Sequence, residues 1–560
     1  MRTNLDLSRA PTATDLIAQM TADETGRVAV ALYDTARLVA LAPGLAGHEA
    51  RLEHLLREQG RAGVWGGPEG YAVVPTLSAT AALLTELHRA GAGTDFHRAG
   101  AGTELHRAGA GTEPHRAGAG SEHRAGAHRD RLARAAARGL RALRRLLDPR
   151  TGPAPPDTIA VELVVPALVE ELNALIRGRP TADRGPELPP DAFDRRLLDG
   201  VRARFAVGVV PQRLWACLEV FGAAAAAAPL VHPARGAVGC SPAATAAWLG
   251  GPGGDPAATR YLEALQARGG GPVPAVSPIT YFEPAWVLNS LAAGGWAGAA
   301  PAALLDRLDE GLTPDGCPAA PGLPADADDT AAVLAALLRH GRIRAPDCLL
   351  GYRTGGHFAC FPDERTPSVS TNAHVLEALA LYLARRPGAR ARFAGPAAAA
   401  AGWLRDQQHA DGSWSDKWHA SPYYATACCV TALALHGGVG SGGAGPRPLD
   451  RAVAWVLGTQ RADGSWGRWH GTVEETAYAV QVLAAVPTAG AAAAVRRGIA
   501  FLAESPPEAA HPPLWHAKDL YAPVAVVRAA QLGALRMGMV YRPVTGADAA
   551  RSARGRVAVG

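Results

Sequence analysis

Several segments of the chain are almost entirely apolar over about ten positions, and alanine is their commonest residue. TAAVLAALL begins at Thr330, TNAHVLEALAL at Thr371, TACCVTALAL at Thr426 and TAYAVQVLAAV at Thr476. Segments of this kind are typical of helices that are buried on nearly all sides. Alternating runs rich in β-branched residues hardly occur, so the pattern predicts an all-α protein.

A sequence repeat precedes two of these helices. QHADGSW from Gln408 returns 52 residues later as QRADGSW from Gln460, and an apolar helix follows each copy. Units of about 40 to 55 residues with two helices each indicate stacked helical hairpins, and the apolar helices suit the inner ring of an α/α barrel. The Gly turn and the packing of its Trp assign the DGSW motif to stability.

A low-complexity segment interrupts another pair of predicted helices, 76–87 and 129–147. Its HRAGA units start at His88, His97, His106, His115 and His123. Units with two Gly and mostly small side chains bury too little apolar area to offset their ordering entropy, so a flexible loop is predicted over 88–128. The helix after it carries an arginine stripe opposite a leucine face. A solvated face and a membrane-surface patch both explain that stripe.

The composition limits the class of protein. With 560 residues, 48% apolar and 19% charged, the chain is expected to form two or three folded domains. Because no apolar run reaches about 18 residues and no secretory signal is found, we expect a cytoplasmic protein without stable membrane insertion. Seven cysteines without a CxxC pair indicate neither a disulfide framework nor a zinc ribbon. The arginine stripe lacks interleaved aromatics, so no nucleic acid is expected as a partner.

Three carboxylates stand directly before the helix that starts near Thr330. Asp326, Asp328 and Asp329 lie in the stretch PADADDT. One interpretation is a helix cap, with Asp328 or Asp329 stabilised by the helix N-terminus. The other is acid chemistry, since crowding raises a carboxyl pKa until a proton is retained for delivery to an alkene. A magnesium cluster for ionising a prenyl diphosphate is disfavoured, because the DDxxD element of such enzymes is absent.

The DADD stretch and the two QxxDGSW repeats together resemble the class II terpene cyclases, and the bacterial diterpene cyclases of copalyl diphosphate synthase type resemble the chain most. Further stretches match that family in order from about residue 30 to 525: YDTA from Tyr33, DTIAVE from Asp157, SPAATA from Ser241, YFEPAW from Tyr281, STNAH from Ser370, DKWH from Asp416 and KDLY from Lys518.

The resemblance implies roles for residues of the acid cluster and for aromatic side chains. Asp328 would be the general acid that protonates an alkene, supported by Asp326 and Asp329. Asn372 or His374 would hold this acid by hydrogen bonding. Trp286, Tyr281 and Phe282 would face the carbocation, although aromatics on an apolar helix are also ordinary core residues.

The charged end of the substrate is expected to meet a lysine and a metal ion. Lys417, in DKWH, falls where the family contacts a diphosphate, and Trp418 beside it is taken as a further substrate-binding residue. Lys518 is taken as a further substrate-binding residue, since the chain holds only these two lysines among 56 basic residues. Asp157 and Glu162 match an element associated with Mg²⁺. They would converge only if Asp157 lies at or before the start of a helix.

The chain also departs from the family. Plant enzymes that make the ent stereoisomer use a His and an Asn to position the water that removes the final proton, and the matching residues here are Ala216 and Ala275. Product stereochemistry and the site of deprotonation are therefore not implied by the resemblance.

The expected architecture is two α/α-barrel domains in the βγ arrangement of this family, with the active site between them. Residues 1–45 would supply the N-terminal helix of the β domain, 46–285 an inserted γ domain, and 286–560 the rest of the β domain with DxDD. The expected reaction is protonation-initiated cyclisation of geranylgeranyl diphosphate to a bicyclic diphosphate. Coupling to a class I terpene synthase is left open.

Other functions stay open from the residues. Farnesyl diphosphate is the alternative substrate and would give a drimenyl-type product. A squalene-hopene type triterpene cyclase would share DxDD and the repeats. A glycoside hydrolase would need two separated carboxylates in a cleft, and a non-enzymatic helical-repeat scaffold would use the acid cluster only as a cap.

Overall fold

The computed structural model describes residues 12–101, 117–179, 185–189, 193–251, 253–296, 298–436, 447–488, 490–506 and 511–541, with the side chains of 91–101 and 117–125 left out. These ranges are mainly helical, as predicted. The described helices and strands are α1 (Ala13–Ala22), α2 (Leu32–Leu41), α3 (His48–Glu58), α4 (Val73–Ala101), α5 (Ala117–Leu146), α6 (Val161–Arg177), α7 (Arg196–Ala206), α8 (Pro242–Leu249), α9 (Pro256–Gly269), α10 (Phe282–Ala293), α11 (Ala302–Gly311), α12 (Ala327–Arg339), β1 (Arg353–Thr354), β2 (His357–Phe358), α13 (Val369–Arg385), α14 (Arg390–Asp406), α15 (Pro422–Leu435), α16 (Pro448–Gly458), α17 (Val473–Ala485), α18 (Ala491–Glu504), β3 (Trp515–His516), β4 (Leu520–Tyr521) and α19 (Val524–Val540).

The chain divides into two compact units. The acid unit, named for its acid cluster, comprises residues 1–28, 278–516 and 522–560, and the inserted unit comprises residues 29–277 and 517–521. The expected boundaries at 45 and 285 differ from these, because α2 packs on α4 and α8 of the inserted unit.

The acid unit contains an α/α barrel. Its inner helices contact one another in a closed ring of α10, α12, α13, α15, α17 and α19, and α11, α14, α16 and α18 pack outside them. Helix α12 is buried along nearly its whole length, which explains its apolar sequence. Strands β1 and β2 form a short antiparallel hairpin before α13.

The DGSW turns fasten adjacent hairpins of this barrel. The indole nitrogen of fully buried Trp414 donates to the Leu404 carbonyl, and Gln408 donates to the carbonyls of Gly412 and Pro448. The second copy, from Gln460, makes the corresponding contacts. The motif thus satisfies backbone carbonyls where two hairpins meet, and its structural assignment is confirmed.

The inserted unit contains a smaller ring. Helices α2, α4, α6 and α8 are joined into it by a 3₁₀ segment, Gln212–Ala225. A degenerate copy of the repeat escaped sequence analysis here: Gln59 donates to Gly63, and the indole of Trp65 donates to the Leu55 carbonyl. The spacing Gln-x₃-Gly-x-Trp is the same as in the two recognised copies, and this spacing is the feature of the sequence by which the third copy could have been found.

The flexible-loop prediction for 88–128 is wrong at both ends. Helix α4 continues to Ala101 and α5 begins at Ala117, while residues 102–116 lie outside the described residues. Glycine costs a helix only about 1 kcal/mol relative to alanine, and the Ala and Arg of each unit favour helix. Helices α4 and α5 also pack against each other. No described helix has the combined length and hydropathy that crossing a membrane would need.

Candidate active site

The acid cluster lies at the N-terminus of α12. Asp326 is the N-cap, and its Oδ1 accepts the Asp329 N–H at 2.8 Å. The cap is therefore neither Asp328 nor Asp329, the two residues that the cap interpretation named. One aspartate serves the helix, which leaves the other two carboxyl groups without a capping role.

Burial shifts two of these carboxyl groups toward the protonated state. All three aspartates are buried, with at most 9% of their surface exposed. Desolvation, followed by the Asp328 charge, raises the pKa of Asp326 to about 7. Desolvation and the neighbouring Asp326 raise the pKa of Asp329 well above its ordinary value. The cluster therefore retains protons near neutral pH.

Asp328 is joined to a histidine of the next inner helix. Its Oδ1 lies 2.7 Å from His374 Nδ1, and His374 Nε2 lies 3.5 Å from the Cys428 sulfur. Desolvation lowers the pKa of His374, but the Asp328 charge and Cys428 outweigh it and raise that pKa well above the ordinary value. The pair consequently holds a proton between a carboxylate and an imidazole.

Asn372 has a different position from His374. Its amide oxygen accepts the Phe358 N–H at 2.8 Å, and its amide nitrogen donates to the carbonyls of Phe358 and Ser368. Of the two predicted partners of the acid, His374 makes the contact and Asn372 instead braces β2 against α13. The two residues are neighbours on one helix, so the sequence alone did not distinguish them.

Aromatic side chains surround His374. Trp286 stands edge-on to the imidazole with 5.3 Å between ring centroids, and Phe282 packs on Trp286 at 4.3 Å. The Trp286 indole donates to the Tyr424 hydroxyl at 3.0 Å. Tyr281 is the N-cap of α10 and its ring lies against Gly311 of α11. The structure brings Trp286 and Phe282 together with the acid, and sequence analysis missed Tyr424.

The DKWH stretch supports α13. Asp416 Oδ1 accepts the Val369 and Ser370 N–H groups and the Ser368 hydroxyl, so it caps the helix that carries His374. Lys417 donates to Glu364 Oε2 at 2.5 Å and to the Thr366 carbonyl at 2.7 Å, and its ammonium lies 5.0 Å from the Trp418 ring centre. Two of three ammonium donors are thus used.

Glu364 links that lysine to the acid cluster. Its Oε1 accepts the Cys360 N–H at 2.9 Å, and the Cys360 carbonyl accepts the Ala327 N–H at the start of α12. Sequence analysis did not select Glu364, because no motif marks it. Its partner Lys417 was the only signal.

Lys518 lies in a closed cluster of the inserted unit. Its ammonium donates to Glu219 Oε1, the Ser241 hydroxyl and the Ala216 carbonyl at 2.7 to 2.9 Å, and only 3% of its surface is exposed. All three N–H groups thus have protein partners, which leaves no donor of Lys518 for a substrate. The scarcity of lysine in the sequence did indicate a position where an ammonium group is needed. At Lys518 that ammonium stabilises the fold.

Asp157 and Glu162 satisfy the geometric condition set for them. Asp157 is exposed and precedes α6, whose second residue is half-buried Glu162. Carboxylate oxygens suit Mg²⁺, which commonly takes one or two carboxylates and completes its shell with water and phosphate oxygens. No group of three or more His, Cys, Asp or Glu residues suited to a metal occurs in the described part of the chain. The described residues thus offer no protein cage for a metal, and Asp157 and Glu162 are the two carboxylates that the resemblance associates with Mg²⁺.

Comparison with known proteins gives consistent matches. Residues 363–520 match the family model described as the squalene-hopene cyclase C-terminal domain. The chain is 45% identical to an ent-copalyl diphosphate synthase of Streptomyces sp. (strain KO-3988), over 93% of this chain and 95% of the relative. It is 39% identical to the labda-7,13-dienyl diphosphate synthase of Streptomyces clavuligerus, over 94% and 92% of the two chains. The solved ent-copalyl diphosphate synthase of Streptomyces platensis has a TM-score of 0.82 and 48% identity, covering 94% of this chain and 99% of that chain.

Proposed function

The chain belongs to the bacterial class II diterpene cyclases of copalyl diphosphate synthase type, and we propose that it converts geranylgeranyl diphosphate to a bicyclic labdane-type diphosphate. The relatives named as copalyl and labdadienyl diphosphate synthases support this substrate. The observation that carries the chemistry is the hydrogen bond of 2.7 Å between Asp328 and His374 beside an aromatic wall.

In the proposed reaction Asp328 is the general acid. Its carboxyl proton is transferred to the terminal alkene, whose π electrons form the new C–H bond. The resulting cation closes two rings in succession, and loss of a proton from the bicyclic cation restores an alkene. His374 donates a hydrogen bond to the Asp328 carboxylate once the proton has left, and Asp326 and Asp329 add little negative charge while protonated. Trp286 and Phe282 stabilise cationic carbon through their ring faces.

The diphosphate takes no part in bond breaking. Lys417 would contact it through its remaining N–H, and Asp157 and Glu162 would hold a Mg²⁺ ion that neutralises phosphate charge. Because the product keeps its diphosphate, we propose that a class I terpene synthase, which ionises that group, consumes it.

The test is incubation of the purified chain with geranylgeranyl, farnesyl and squalene substrates, followed by dephosphorylation of the products and mass spectrometry. The expected result is a bicyclic C20 alcohol from geranylgeranyl diphosphate. A bicyclic product from farnesyl diphosphate alone, or cyclised squalene, would contradict the proposal. Parallel reactions with EDTA test whether Mg²⁺ contributes to substrate binding.

A further inference from the structure

The positions of the His and Asn that hold the deprotonating water in plant ent-type enzymes are Ala216 and Ala275 here, so the group that removes the last proton has to be sought elsewhere. Alanine can neither accept a proton nor position a water by its side chain. The Ala216 carbonyl is moreover occupied by Lys518.

A buried carboxylate of the acid unit has the features of such a base. Glu474 is the second residue of α17 and is 1% exposed. Its Oε1 accepts the Trp515 indole N–H at 2.7 Å and the Tyr478 hydroxyl at 3.1 Å, and it lies 3.2 Å from His419 Nε2. Its other oxygen, Oε2, is buried and has no hydrogen-bond partner.

The hydrogen bonds of His419 indicate which of its ring nitrogens carries the proton. His419 Nδ1 accepts the Ser421 N–H at 3.0 Å, so that nitrogen carries no proton. The ring proton is then on Nε2 and is donated to Glu474. Three donors thus converge on Oε1, and both lone pairs of Oε2 stay available.

Glu474 belongs to the same aromatic cluster as the acid. Tyr424 has His374 at 6.4 Å on one side, and His419 at 4.7 Å and Trp515 at 4.8 Å on the other, all between ring centroids. Trp286, His374, Tyr424 and Tyr478 also line one cavity of about 80 Å³. The contacts from Asp328 to Glu474 thus run through the side chains of His374, Tyr424 and His419.

Unsatisfied buried carboxylate oxygens are costly and call for an explanation. A role as a base explains the unpartnered oxygen, because Oε2 would be stabilised first by the positive charge of the carbocation and then by the proton that it accepts. Asp328 meets His374 and Glu474 keeps one oxygen without a partner, so the two carboxyl groups suit opposite ends of one reaction.

We propose that Glu474 is the terminal base of the cyclisation, an inference that rests on the proposed function. Oε2 takes a proton from a carbon adjacent to the cationic centre of the bicyclic intermediate. The C–H electron pair becomes the new π bond, the cation is neutralised, and the proton ends on Glu474. His419, Trp515 and Tyr478 are positioning residues that fix Oε1.

The test compares the products of Glu474→Gln with those of wild type on geranylgeranyl diphosphate. Gln keeps the shape but cannot accept the proton, so cyclisation should start and end in water capture or in other alkene isomers. The ratio of the wild-type bicyclic alkene to the ring-hydroxylated product and other alkene isomers should fall at least tenfold, the low side of the roughly 10²-fold or larger effects of general bases. Substrate consumption should continue.

The matched control is Glu475→Gln. Glu475 is equally buried, but one oxygen accepts the Arg468 N–H and the other the Thr472 hydroxyl. This variant should keep the wild-type product ratio, because its carboxylate only supports the start of α17. If Glu474→Gln fails to fold, Glu474→Asp, which withdraws the carboxylate by one methylene, should also change the product ratio.

The outcomes separate this inference from the proposed function. A wild-type product ratio in a folded Glu474 variant overturns the inference, and so does loss of all substrate consumption, which would place Glu474 at the protonation step. A wild-type enzyme whose product carries a hydroxyl on the bicycle, seen as a diol after dephosphorylation, overturns it as well, while the proposed function stands. Wild type that does not consume geranylgeranyl diphosphate contradicts the proposed function and, with it, the inference.

Discussion

Each unit of the molecule buries three carboxyl groups around one basic side chain, and the two clusters serve different ends. In the acid unit they are Asp326, Asp328 and Asp329 with His374; in the inserted unit, Asp34, Glu219 and Asp519 with Lys518. Burial raises the pKa of Asp34 to about 6 and that of Asp519 to about 7, much as it raises that of Asp326. A raised pKa therefore does not identify a catalytic acid.

The basic partner distinguishes the clusters. Lysine keeps its proton, and Lys518 directs all three N–H groups to protein oxygens. Histidine can donate through one ring nitrogen and accept through the other, and His374 meets Asp328 through one of them and Cys428 through the other. A lysine cluster thus holds fixed charge, whereas a histidine cluster holds a transferable proton.

The largest expected effect comes from the same substitution made in both clusters. Asp328→Asn removes the transferable proton, so turnover should fall roughly 10³-fold in a protein that melts near the wild-type temperature. Asp519→Asn should leave turnover within about threefold, because its carboxyl only receives the Tyr33 N–H. Steady-state assays and thermal melts of both variants provide the check. Equal losses of turnover would abolish the distinction between the clusters.

The next largest effect concerns stability. Lys518→Met leaves Glu219 and Asp34 buried without their cation, which should lower the free energy of unfolding by about 3 to 5 kcal/mol. Urea titration measures the change. Adding Glu219→Gln should recover part of it, since one uncompensated charge is then gone. A single variant as stable as wild type would show that the cluster does not depend on its ammonium.

The features that could be predicted from the sequence are those that depend on residues close together in the chain. Apolar runs and DGSW spacing predicted the helices and the barrel of the acid unit, because burial and turn chemistry act over neighbouring residues. DADD indicated the acid, since three carboxylates at one helix start are local too. The contacts of Lys518 and Glu474 could not be predicted, because their partners, such as Glu219 and His419, lie hundreds or tens of residues away in the chain.

The next prediction concerns the pH dependence of stability, where a smaller effect of known direction is expected. A carboxyl pKa raised in the folded state means that the folded protein binds more protons than the unfolded chain between pH 4 and pH 7. The contribution of Asp519 to stability is therefore fully present below pH 4 and is lost as pH rises through about 7. Asp519→Asn should flatten this fall, without abolishing it because Asp326 acts in the same direction. Urea midpoints at pH 5 and pH 8 measure it, and an unchanged difference between them would contradict the assignment.

The smallest effect separates the chain's two lysines. Lys417 uses two of its donors on Glu364 and Thr366, so one N–H is left for a diphosphate, whereas Lys518 has none. A diphosphate bound equally in ground state and transition state changes KM and leaves kcat. Lys417→Ala should then raise KM about tenfold with kcat within about threefold.

Glu364→Gln is the control for Lys417→Ala, because it weakens the ion pair and keeps the ammonium. If Lys417 holds the diphosphate, this variant should leave KM unchanged or lower it, since the freed ammonium gains a donor. If Lys417 serves only to fix Glu364 and the loop at Cys360, both variants should lower kcat together. That result would give Lys417 a structural role like that of Lys518. Mg²⁺ at Asp157 and Glu162 would then be the remaining group proposed to bind the diphosphate. The KM of Lys417→Ala, measured with and without EDTA, tests that proposal.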